Sequence, residues 1–126
     1  MSVSVVAPSP KVPPLAITPE EPAAAAARMI VASRIGAVAV QDRTGRIVGL
    51  VSEHDIVRVV ATRAQGLRGL AVGEVMTPEP VAIHPGMPAA EALDMMRRRD
   101  LRHLPVCCPE GKLLGVVGLD ELAASD

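Results

Sequence analysis

The sequence predicts an α/β (α+β) protein made of one unit repeated twice, each copy a strand, a helix, two strands and a second helix. Two observations carry this. Short Val-, Ile- and Ala-rich strands alternate with helical segments along the chain. A shift of 66 positions also lays Ile17-Thr18-Pro19-Glu20-Glu21-Pro22-Ala23-Ala24 on Ile83-His84-Pro85-Gly86-Met87-Pro88-Ala89-Ala90. The same shift matches Ala26, Met29, Val40, Gly45, Gly49 and Val51 with Ala92, Met95, Val106, Gly111, Gly115 and Val117. Eleven identities in order without a gap, turn glycines among them, indicate an internal duplication. Neither copy alone covers its sheet well, so the two are expected to pair about a pseudo-two-fold and leave matched clefts between them.

Residues 1–13, rich in Pro, Ser and Val, read as an irregular leader. Repeat 1 is assigned to 14–66. It opens with a strand at Leu15–Ile17, and Thr18-Pro19-Glu20-Glu21 reads as a helix start with Thr18 as cap. An Ala-rich helix follows through Ser33. Strands at 35–40 and 46–51 flank a turn at Asp42-Arg43-Thr44-Gly45, and a second helix runs to about Ala64. Repeat 2 is assigned to 67–126. Its entry segment makes one helical turn at 71–75, ended by Met76-Thr77-Pro78.

Composition narrows the function. Apolar residues make up 49% of the 126-residue chain with no Phe, Tyr or Trp, so ring-stacking nucleic-acid surfaces are disfavoured. The net charge of −1 gives no basic field for nucleic acid or anionic lipid. No apolar run spans a bilayer, and the N-terminus lacks the pattern of a secretion signal. Cys107 and Cys108 are adjacent, which suits buried strand thiols in a reducing cytoplasm better than a disulfide or a redox pair. His54, His84 and His103 lack metal-ligand spacing, and no Walker loop, dinucleotide fingerprint or nucleophile elbow is present. Neither a metal nor a required cofactor is expected, and nothing resembles a catalytic set. Arg97-Arg98-Arg99 falls where it offsets the negative end of a helix.

The most informative stretch is GLVSEHDIVR at 49–58. A strand ends, Ser52 follows, and a helix opens through Glu53, His54 and Asp55. Free N–H groups and the partial positive charge of a helix start suit phosphate. Ser52 can donate to it, and Asp55 can accept from two ribose hydroxyls. Equally, Ser52 can be a cap and Asp55 a first-turn acid with no ligand at all.

The duplicated unit, the bridge VGEVMTPEPVAI, RHLPV at 102–106 and GLVSEHDIVR together resemble a cystathionine-β-synthase (CBS) domain pair, or Bateman module, over about residues 15–124. The resemblance implies a non-catalytic regulatory module that binds an adenosine ligand (AMP, ADP, ATP or S-adenosylmethionine) between the repeats. It implies a homodimer built through the helices, signalling to an unidentified protein partner. On this resemblance Ser52 takes phosphate and Asp55 takes ribose. Backbone and apolar groups around Ile83, Leu104 and Pro105 hold the base, and Arg102 and His103 stand near the phosphates. The opposite cleft, near Ile17, Ala37 and Val38, meets Gly118 and Glu121 where Ser52 and Asp55 would be repeated. It is therefore expected to be weaker, giving one nucleotide site per chain. The first repeat also has Pro10-Lys11-Val12 in place of Met76-Thr77-Pro78. The alternative is a nucleotide-free scaffold that dimerises and docks on an enzyme or transporter.

Overall fold

A computed structural model describes residues 16–33 and 35–125, so the expected leader lies outside the described residues. The first half contains β1 (Ala16–Ile17), α1 (Ala23–Ala32), β2 (Ala37–Gln41), β3 (Ile47–Ser52) and α2 (Glu53–Thr62). The connection forms α3 (Val72–Val75) and β4 (Thr77–Pro78). The second half contains α4 (Ala89–Arg99), β5 (His103–Cys107), β6 (Leu113–Gly118) and α5 (Leu119–Ser125).

β1 pairs parallel with β2, β2 antiparallel with β3, and β3 antiparallel with β4, in the order β1-β2-β3-β4. β5 and β6 form an antiparallel pair, which Ile83 joins by a single parallel bridge to Val106. That bridge repeats the pairing of Ile17 with Val40, 66 positions earlier. The register irregularities at Val40/Gln41 and Val106/Cys107 obey the same shift.

The two cores repeat as well. Ile17, Ala23, Ala26, Ile30, Val38, Val40 and Val51 pack in the first. Ile83, Ala89, Ala92, Met96, Leu104, Val106 and Val117 hold the same places in the second. Alanine recurs at the helix positions nearest the sheet because no larger side chain fits there, and Ala23, Ala26, Ala89 and Ala92 are fully buried.

Ala37 to Val40 are all buried, which requires cover on both faces of β2. Alternation sends Val38 and Val40 to the core under α1 and leaves Ala37 and Ala39 for the other half of the molecule. The halves meet through β2 with β6 and β3 with β5, a reciprocal pairing. At the hairpin tips Ile47 N–H donates to the Gly111 carbonyl (3.4 Å) and Leu113 N–H to the Gly45 carbonyl (3.3 Å). Each bond is the other moved by 66 positions, so the expected pseudo-two-fold passes between them.

Two helix boundaries differ from expectation. α1 starts at Ala23, with Pro22 rather than Thr18 at the cap position and no side-chain cap. A residue preceding proline disfavours the helical region, so Glu21 stays outside the helix. Thr18 accepts from Glu21 N–H in a turn instead, and Ala23 N–H donates to the Leu70 carbonyl. α2 ends at Thr62, where Arg63 turns extended and its Nη1 donates to the Gly66 carbonyl (2.7 Å).

The connection packs against the first half. Val72 and Val75 are buried in the first core, β4 extends the first sheet, and Val72 and Gly73 N–H donate to the carbonyls of Glu21 and Pro19. Chain order attaches α3 to the second repeat, while its burial attaches it to the first.

Candidate functional site

β3 delivers Ser52 to the start of α2, and one helical turn brings Asp55 back beside it. Ser52 is extended at φ −110° and caps the helix: Asp55 N–H donates to Ser52 Oγ at 3.3 Å. Ser52 N–H and Oγ–H donate to Asp55 Oδ2 at 2.9 and 3.0 Å. Arg58 Nη2 donates to Asp55 Oδ1 at 3.0 Å, and Thr77 Oγ1 donates to the same oxygen at 3.3 Å. Asp55 is only 3% exposed, the one buried charged side chain among the described residues.

The cap is real. It also positions a buried carboxylate at a helix start, which is where an anion and a diol can be bound side by side. A carboxylate offers about four acceptor sites, and all of them are taken within the chain. Incoming hydroxyls must therefore exchange with Arg58 and Thr77 on Oδ1. The helix start is partly committed too, since Glu53 N–H donates to the Gly36 carbonyl (3.1 Å).

Thr77 enters the sequence analysis only through its missing counterpart in the first repeat, not as a residue of the α2 tip. It sits 22 residues from Asp55, and only the pairing of β4 with β3 brings the two together. One signal was present: the matching position in the first repeat is Lys11, which has no hydroxyl. Arg58 was likewise passed over, although its place three residues after Asp55 puts it on the same helix face.

The remaining candidates divide. His103 comes to the junction of the halves, where its Nε2 bonds the Ile35 carbonyl. Arg102 is exposed, and its carbonyl accepts from Leu119 N–H (2.8 Å). Ile83 and Leu104, expected near a base, are buried in the second core, and Pro105 is fully buried. Ile83 N–H and carbonyl are both spent on β5, donating to Pro105 and accepting from Cys107. Leu104 and Pro105 are adjacent on β5 and face opposite sides of it, Leu104 the second core and Pro105 the other half. In the opposite cleft Ile17, Ala37 and Val38 are buried, Gly118 ends β6 without a hydroxyl, and the Glu121 side chain lies outside the described ones.

An open groove of about 560 Å³ lies elsewhere, along β1 and α1, lined by Ile17, Thr18, Ala25, Arg28, Met29 and Ala32 among others. It shares no residue with the α2 tip. Among the described residues no group of His, Cys, Asp and Glu is arranged to hold a metal, and no helix is long and apolar enough to cross a membrane. Burial holds the Cys107 thiol above its ordinary pKa, with Cys108 adding to the shift.

The architecture is that of a tandem α/β repeat with one polar helix tip at the junction. The CBS domain family model matches residues 5–62 and 72–125, and the chain belongs to that family. It is similar to the CBS domain-containing protein YhcV of Bacillus subtilis, 31% identical over 86% of this chain and 76% of that protein. An uncharacterised 17.7 kDa protein of Acidianus ambivalens is also 31% identical, over 85% of this chain, which spans 63% of that relative's length. Among solved structures, the CBS-domain protein ATU1752 of Agrobacterium tumefaciens superposes with a TM-score of 0.79 at 28% identity, covering 88% of this chain and 87% of that one. The CBS domain pair of MJ0100, solved with 5-methylthioadenosine and S-adenosyl-L-methionine, superposes at 0.85 and 19% identity, covering 98% and 95%. CBSX2, solved in complex with AMP, superposes at 0.77 and 22% identity, covering 93% and 90%.

Proposed function

We propose that this chain is a non-catalytic regulatory module that binds one adenosine ligand at the α2 tip and reports its occupancy through the geometry of the repeats. The observation that carries the reading is the buried Asp55 carboxylate, held by Ser52 and Thr77 at a helix start beside the junction of the halves. In this reading Asp55 takes the ribose hydroxyls, which replace Arg58 and Thr77 on Oδ1. Ser52 and the helix start take phosphate, with His103 and Arg102 on the far side of the junction. The Ile83 and Leu104 side chains lie in the second core, so contact with the base falls to backbone around them, to Pro105 on the opposite face of β5, and to partly exposed neighbours such as Ala82. The ligands in the MJ0100 and CBSX2 structures support the adenosine class. Gly118 gives the second repeat no hydroxyl, which supports a single site.

Binding shifts a structural equilibrium only as far as affinity differs between its states. A second copy of the chain is the natural amplifier. Val57 and Val60 are 63% and 56% exposed on α2, and Val31 is 88% exposed on α1, an apolar surface suited to a homodimer in the cytoplasm. The same surface favours the second reading, a scaffold that dimerises and docks without nucleotide.

Calorimetric titration with AMP, ATP and S-adenosylmethionine, paired with thermal shift, tests the proposal, since a ligand that binds only the native state must raise the melting temperature. One site per chain, weakened in Asp55→Asn, is expected. No binding by any of the three overturns the sensor reading and leaves the scaffold. Two equivalent sites overturn the assignment to one tip.

A further inference from the structure

We propose that His103 is a latch that closes one end of the junction between the repeats, the other end being a fixed pivot. The junction has two distinct ends. At one, the hairpin tips are joined by the paired backbone bonds Ile47 to Gly111 and Leu113 to Gly45. Those bonds involve no side chain and obey the pseudo-two-fold. At the other end lie the start of β2, the start of β5 and the tip of α2, because Ala37 pairs with Ser52 and His103 with Gly118. There a side-chain hydrogen bond joins the two halves among the described residues, from His103 Nε2 to the Ile35 carbonyl. A carbonyl only accepts, so Nε2 carries the proton.

This bond breaks the symmetry that the pivot keeps. The residue matching His103 in the first repeat is Ala37, which has no polar side chain to return the contact to Leu101, the match of Ile35. One removable bond therefore stands at one end against two reciprocal ones at the other. Its acceptor also borders the candidate site. Ile35 precedes Gly36, whose carbonyl takes the first N–H of α2. Gly36 itself is held at φ +84°, a conformation that favours glycine. Releasing His103 frees the strand start that supports the α2 tip while the hairpin tips stay joined, so the halves open like a hinge.

The latch is independent of the adenosine reading, and its test needs no ligand. Hydrogen exchange of the full chain compares His103→Ala with the unaltered protein. At least threefold faster exchange is expected at the Glu53 amide, which donates to the Gly36 carbonyl, with Ile47 and Leu113 unchanged. His103→Gln, which can place an amide N–H near the position of Nε2, is expected to restore protection. If His103→Ala does not fold, His103→Asn, whose amide is too short to reach Ile35, replaces it with the same expectation. Unchanged exchange at Glu53 overturns the latch. Equal acceleration at both ends, or failure of Gln to restore protection, also overturns it, since either shows general loosening or lost ring packing. AMP binding to the unaltered protein tests the sensor reading separately, and neither result decides the other.

Discussion

Replacing Asp55 by Ala removes the acceptor of four hydrogen bonds at the start of α2. The largest cost is the half-buried Ser52 N–H left without a partner, about 1–3 kcal/mol. Loss of the acid at the helix start adds about 0.3–1 kcal/mol. The Arg58 pair adds little, because Arg58 is 51% exposed and solvent screens it. Together these predict a loss of about 1–4 kcal/mol. For a chain of 126 residues this corresponds to about 4–15 °C in melting temperature. With no aromatic residues the assay must be far-UV circular dichroism in urea, at fixed protein concentration because a dimer would make stability depend on it. Asp55→Asn, which keeps one acceptor oxygen, should lose less. A loss below about 0.5 kcal/mol in Asp55→Ala would refute the view that this carboxylate is structurally committed.

Further outcomes follow from other parts of the molecule. Ala26→Leu and Ala92→Leu should each destabilise by about 1–3 kcal/mol in urea melts, because both sites are fully buried under matching helices, and a difference of several-fold between them would contradict equivalent cores. Gly36→Ala and Gly45→Ala should both destabilise, because each glycine is held at positive φ (+84° and +87°), and an unchanged melting temperature in either would count against a strained backbone there. Val60→Lys should convert a dimer to monomers in light scattering, while an unchanged mass would place any interface elsewhere. Cys108 should react with a thiol reagent at pH 8 well before Cys107, which is 2% exposed and whose folded-state pKa is raised by burial. A raised pKa means that Cys107's contribution to stability is complete below its unfolded value, near 9, and is lost as pH climbs through the folded one. Urea midpoints that rise above pH 9 in the unaltered protein but not in Cys107→Ala would contradict this.

The duplication was legible because it is written in local residues: prolines before the helices, alanines beneath them, glycines at the turns. The structure keeps each of these at its matched place. The Ser52–Asp55 pair was also legible, being three residues apart on one turn. What the sequence concealed depends on contacts distant along the chain. Thr77 reaches Asp55 only through a two-residue strand, and His103 finds its acceptor 68 positions away. Ile83 and Leu104 illustrate the converse difficulty. Apolar residues next to a cleft and apolar residues beneath it have the same composition, and only the register of β5 assigns these two to the core.

The placement of α3 and β4 also governs how the protein can be divided. A cut at residue 66 would strip the first half of Val72 and Val75 and leave β3 with a bare edge prone to adhesion. The natural seam falls after Pro78, where Glu79 turns into a left-handed conformation (φ +48°) and the chain departs for the other half. Gene fusions or truncations that respect this seam carry the whole first sheet with them.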